Sequence, residues 1–104
     1  MSTQRWVVRA TRDFFEDLDR QLSPERGPKG EPSRVDFEAY ELLPIVERFA
    51  TGWDELPELI AGRPEYRILI TGGRFVPYIS VVGQLAPDGA IELEKLRIDL
   101  TSPW

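Results

Sequence analysis

YRILITGGRFVPYISVVGQLAPDGAIELEKLRIDL, residues 66–100, alternates with a period of two over most of its length. Tyr66, Ile68 and Ile70 fall on one face of a first strand, with Arg67, Leu69 and Thr71 on the other. Gly72-Gly73 then supplies the φ freedom of a hairpin turn. A second strand is predicted from Arg74 to Leu85, with Phe75, Ile79, Val81 and Leu85 sharing a face. Pro77 lies inside it and has no amide for a ladder, so this strand is expected at an edge or with a bulge. Pro87-Asp88-Gly89 is the second turn. The last strand runs from Ala90 to about Leu100. Its alternation slips, because Ile91 and Leu93 are out of phase with Leu96, Ile98 and Leu100. One extra residue near Glu94-Lys95 accounts for the slip as a β-bulge.

Toward the N-terminus the period changes to that of a helix. Phe14, Phe15, Leu18 and Leu22 recur at helical spacing behind Thr11, a residue suited to an N-cap. Trp6 to Arg9 precede them as a short strand. SPERGPKGEPS, residues 23–33, holds three prolines and two glycines and reads as a loop. Ser33 followed by Asp36 resembles a capping box. A second helical region follows, with Phe37, Tyr40, Leu43, Ile45, Val46 and Phe49 as its apolar edge. Pro44 should kink it or open a new helix at its first position. After Gly52, one or two further turns should pack Trp53, Leu56 and Ile60. The order is therefore β-α-α-β-β-β. This is an α+β fold, with an antiparallel sheet and the helices packed on one face.

The chain of 104 residues suits a single domain, 1–104, with one modest core. No apolar run approaches the roughly 18 residues of a membrane span, and the start lacks a secretory signal, so a cytoplasmic location without membrane association is expected. There is no cysteine and no histidine. That excludes thiolate nucleophiles, disulfides and the usual neutral-pH base, and it leaves a zinc site nothing but carboxylates. No metal or other cofactor is implied. The net charge of −5 argues against a broad phosphate-binding surface. The acidity is local, however: residues 35–64 carry seven acidic and two basic groups, whereas residues 65–104 are nearly balanced.

The order of elements and several short motifs resemble the RelE/ParE toxin superfamily of bacterial type II toxin–antitoxin systems. Tyr66-Arg67 is similar to a pair at that family's helix-to-strand junction. Arg74-Phe75-Val76-Pro77-Tyr78 resembles its hairpin, and Lys95 and Arg97 resemble its basic last strand. The opening Val7-Val8-Arg9-Ala10-Thr11-Arg12-Asp13-Phe14-Phe15 is similar to its strand and aromatic-bearing helix. The resemblance implies a toxin acting by metal-independent RNA cleavage, alone or on the ribosome, or by binding a target such as gyrase. It also implies an antitoxin protein as partner. Arg67, Arg74, Tyr78, Lys95 and Arg97 are the implied site residues. The chain departs from the family's ribosome-dependent nucleases in being acidic and in lacking a histidine. It also has no tyrosine after Tyr78, and its second strand contains Pro77.

RNA cleavage of this type needs the 2′-hydroxyl deprotonated, the leaving oxygen protonated and the phosphate charge stabilised. Arg67, Arg74 and Arg97 have the planar donor geometry for the last task. Tyr78 can stack on a base or donate a proton. Lys95 can act as a base only with a strongly lowered pKa. Glu92 and Glu94 are the carboxylates closest in sequence. The same residues read equally as ordinary sheet side chains. A divergent, non-catalytic protein-binding or structural relative of the same fold is therefore the alternative.

Overall fold

The structure, a computed structural model, describes residues 5–100. The outermost residues of the single-domain reading, 1–4 and 101–104, lie outside the described residues. The strands are β1 (Val8–Ala10), β2 (Tyr66–Thr71), β3 (Tyr78–Leu85) and β4 (Ile91–Asp99). The principal helices are α1 (Arg12–Gln21), the single turn α2 (Arg34–Asp36) and α3 (Leu42–Gly52). The α+β class follows the sequence reading; the order β-α-α-β-β-β is matched only roughly, because the second helical region divides into α2, a π-helical stretch, α3 and a 3₁₀ turn.

One part of that reading needs correction: the sheet is mixed rather than antiparallel. Its strand order is β1-β4-β3-β2. The three later strands form the expected antiparallel meander, but β1 lies parallel to β4, with Val8 opposite Ile91 and Ala10 opposite Leu93. Residue patterns within a single strand carry no information about the direction of its neighbour.

Parallel pairing ends after three residues because the chain turns into α1. The Thr11 hydroxyl performs the switch. It accepts from the Phe14 amide at 3.3 Å as the N-cap, and it donates to the Leu93 carbonyl at 2.8 Å. Helix α1 then lies beside the remainder of β4 and occupies its edge with side chains. The Asp17 carboxylate accepts from the Leu96 amide at 2.9 Å. The Gln21 side chain accepts from the Ile98 amide at 2.7 Å and donates to the Leu96 carbonyl at 2.7 Å. Two helical side chains therefore supply the hydrogen bonds a longer β1 would have made. Phe14, Leu18 and Leu22 turn inward and are buried.

The bulge expected near Glu94-Lys95 is present. Val82 pairs with Lys95 and Gly83 with Leu93, which leaves Glu94 as the extra residue. It brings Leu93 and Leu96 to the same buried face. On the partner strand, Gly83 leaves room for the aromatics of the helical layer. A Cβ there would stand 2.6 Å from the Phe49 ring and 3.1 Å from that of Trp53.

Ser33 and Asp36 form the capping box. Each side chain accepts the other's amide, at 3.1 and 2.9 Å. No helix opens at Pro44: α3 already begins at Leu42. Between α2 and α3 the backbone winds as a π-helix over Phe37–Glu41, with the Leu42 amide bonded back to Phe37. The wider turn comes one turn ahead of the proline ring, where regular α winding would set that ring against the Tyr40 carbonyl. A 3₁₀ turn, Trp53–Glu55, follows. Trp53 and Leu56 are buried as expected, but Ile60 is exposed, because residues 57–59 run extended beside the start of β2.

Phe37, Ile45, Phe49 and Trp53 cover one face of the sheet, against Leu69, Ile79, Val81, Ile91, Leu93 and Leu96. The opposite face carries Tyr66, Ile68, Ile70, Tyr78, Ser80, Val82, Lys95 and Arg97, and no helix packs over it among the described residues. The β2–β3 connection is longer than a two-residue hairpin. It spans residues 72–77, so Pro77 precedes β3 and Phe75 does not belong to a strand face. The second turn is tight, with the Ala86 amide donating to Ala90 at 2.7 Å and Gly89 at φ 89°.

Candidate functional site

The register fixes which cations meet. Ser80 stands opposite Ile70 on one side and Arg97 on the other. Val82 likewise lies between Ile68 and Lys95, and Tyr78 faces Asp99. Ile68, Ser80, Val82, Lys95 and Arg97 of these rows form the floor of a groove of about 600 Å³, walled at the β4 edge by Asp17, Arg20 and Gln21 of α1. A smaller hollow of about 220 Å³, bounded by Tyr78, Ser80, Arg97 and Asp99, continues it.

Three of the five residues singled out from sequence therefore come together: Tyr78, Lys95 and Arg97. Lys95 and Arg97 are exposed and form no ion pair with any other described residue. Tyr78 is 40% exposed at the groove's end. Sequence reasoning missed Arg20, which reaches the groove from α1. It is five residues beyond the aromatic pair of that helix, and only knowing that α1 lines the edge of β4 would have drawn attention to it.

Arg67 lies on the other face of the sheet. Its guanidinium donates to the carbonyls of Pro64, Asp54 and Leu56, at 3.0, 3.3 and 2.8 Å, and stacks on Trp53 at 5.5 Å. It fastens residues 54–64 to β2 and has no access to the groove. Arg74 lies in the β2–β3 connection, stacked on Tyr40 and Phe75. Neither lines the groove that Lys95 and Arg97 line.

The carboxylates limit the chemistry. Asp17 is the acid in the groove wall, and both its oxygens are engaged, one by Arg20 and the other by the Leu96 amide. Glu94, the bulged residue, does not line the groove. Burial, then the charges of Glu92 and Asp13, push its carboxyl above the usual range, against the opposing pull of Lys95. Among the described residues no group of three or more acidic side chains is placed to hold a metal ion. The groove can thus supply cationic donors, a hydroxyl, a phenol and apolar floor. This set suits the binding of a phosphate-bearing strand. Asp17, the one carboxylate lining the groove among the described residues, is engaged, and Asp99 lies in the adjoining hollow.

No protein-family model, curated protein or solved structure matches this chain. Among the described residues no helix is long and apolar enough to cross a membrane.

Proposed function

We propose that this chain is a toxin-like protein of the RelE/ParE type, working in the cytoplasm and engaging RNA across the open face of its sheet. The convergence of Lys95 and Arg97 with Tyr78 on a face that no described helix covers carries the reading. The two cations neutralise successive phosphates, while Tyr78 and Ile70 offer flat or apolar surface to an unstacked base. Binding is better supported than cleavage, since Asp17 is already engaged and Glu94 lies outside the groove.

The test is fluorescence anisotropy with a labelled single-stranded RNA at several salt concentrations, alongside a gel assay of the RNA's integrity. Binding should weaken with salt. The double variant K95A/R97A should bind at least about ten-fold more weakly and lower the log–log salt slope by about 1.4, two phosphate contacts' worth for a single strand. Arg67→Ala should leave binding unchanged wherever the protein stays folded. Equal binding by wild type and K95A/R97A would remove the groove from consideration.

A second reading rests on the same engaged carboxylate. A groove whose wall carboxylate is engaged serves equally a non-catalytic domain that binds a protein target such as gyrase. Inhibition of supercoiling by the purified protein, with RNA left intact and unbound, would favour it.

A further inference from the structure

Away from the groove, the helical region and the β2–β3 connection build a second exposed surface. Tyr40 and Phe75 meet edge to face, with ring centroids 5.0 Å apart. The Arg74 guanidinium covers both rings, at 5.3 and 5.5 Å. Tyr40 is 44% and Phe75 40% exposed, so the pair is not a buried core contact. Val35 and Leu43, about one turn to either side of Tyr40, are 60% and 65% exposed.

Two observations separate this cluster from scattered surface apolar residues. The first is its rigidity. The buried Glu41 carboxylate, next to Tyr40 in the π-helical turn, accepts the amides of Arg74, Phe75 and Val76 at 2.7, 3.1 and 3.0 Å. The backbone that carries Arg74 and Phe75 is therefore fixed to the helix that carries Tyr40, and a binding partner need not order it. The second is charge. Residues 35–64 are strongly acidic, yet the cations at this surface form no ion pair with any described residue. They are Arg74 and Arg48, the latter in the cleft between α3 and the β2–β3 connection. Aromatic rings with a stacked, unpaired arginine are the composition of binding hot spots.

We propose that Tyr40, Leu43, Arg74 and Phe75 form a docking surface for an acidic segment of a partner protein, one that carries leucine or phenylalanine side chains between its carboxylates. The apolar side chains lie against Leu43 and the Tyr40–Phe75 pair. The carboxylates meet Arg74, whose guanidinium stacks on the two rings, and Arg48 in the neighbouring cleft; neither forms an ion pair with any described residue.

The experiment uses the full chain and two synthetic peptides of about 15 residues. Both place Leu and Phe on one helical face; one carries Glu at its remaining charged positions and the other Lys. Binding is followed by anisotropy and by amide shifts in two-dimensional NMR. The Glu peptide should bind, with shifts confined to residues 35–48 and 73–76. Raised salt should weaken it, and Arg74→Ala or Tyr40→Ala should weaken it at least about ten-fold. Arg74→Lys keeps the charge but not the planar stack and should fall between. Equal binding of the Lys peptide would overturn the proposal, as would shifts on the open sheet face instead. So would sedimentation showing that the protein alone pairs through this surface, with the pairing abolished by Leu43→Glu.

Discussion

Replacing Glu41 tests whether a single buried carboxylate holds the β2–β3 connection. Glu41 is 3% exposed, and its two oxygens serve three backbone amides. Glutamine keeps one carbonyl oxygen. If that oxygen stays with Phe75 and Val76, the new NH₂ group confronts the Arg74 amide; if it turns to Arg74, the other two amides lose their acceptor. An unsatisfied donor costs about 1–3 kcal/mol, with the low end appropriate where water reaches the amide. Glu41→Gln should therefore destabilise by about 1–3 kcal/mol. Glu41→Ala removes all three acceptors, including the one for the buried Val76 amide, and should cost about 3–5 kcal/mol. Gly73 supplies an internal control. A Cβ there would overlap a Glu41 carboxylate oxygen. That carboxylate cannot swing aside without releasing the amides. Gly73→Ala should therefore be costly alone and much less so when combined with Glu41→Ala. Urea unfolding of the four members of the cycle, with hydrogen exchange at Val76, measures this. Additive effects within about 0.5 kcal/mol, or a Gln variant as stable as wild type, would refute the account.

Gly83→Ala should destabilise by about 1–3 kcal/mol in thermal or urea unfolding, since its methyl would press on Phe49 and Trp53. Gln21→Ala should cost about 1–3 kcal/mol and speed hydrogen exchange at Ile98, whose amide it caps. Arg26 and the Ser33 amide hold the Asp36 carboxyl below its usual range, and Arg9 does the same to Asp88. A depressed folded-state pKa gives stability that is fully present above the unfolded value and is lost as pH falls through the folded one. Urea midpoints should accordingly hold near neutrality and decline below about pH 4, and Asp36→Asn should flatten that decline. Glu94 has the opposite sign: its carboxyl is raised, so its ionised form weakens the fold, and Glu94→Gln should raise the urea midpoint at about pH 7.

The local grammar of this chain was largely readable. Thr11, the Ser33–Asp36 pair and Gly89 each act through neighbours two or three residues away, and each does in the structure what its spacing announced. The bulge at Glu94 was readable for a related reason, because a one-residue slip flips every following side chain to the other face. What escaped were features set by distant segments. The parallel placement of β1 depends on where β4 arrives. The length of the β2–β3 connection depends on Glu41, more than thirty residues earlier, since the amides of residues 74–76 are held by its carboxylate rather than by a ladder. Arg67 was singled out because Tyr66-Arg67 resembles a family junction pair and arginine suits phosphate, but its strand phase turns it toward three backbone carbonyls. Tyr78, Lys95 and Arg97 converge because their spacing along two paired strands places them on one face, a relation that strand phase alone can express.

The strand order has a consequence for how the protein comes into being. β4 lies between β1 and β3, yet it is the last of the four strands to leave the ribosome. Until it arrives, β1 has no neighbour, and Asp17 and Gln21 have no backbone to hold; their contacts with β4 bridge 79 and 77 residues of chain. The hairpin of β2 and β3 can form early, but the N-terminal strand and helix must wait beside an incomplete sheet. Such long-range closure slows folding relative to a helical chain of this size. During synthesis the apolar side of α1, with Phe14, Leu18 and Leu22, is consequently available to chaperones until the final strand inserts.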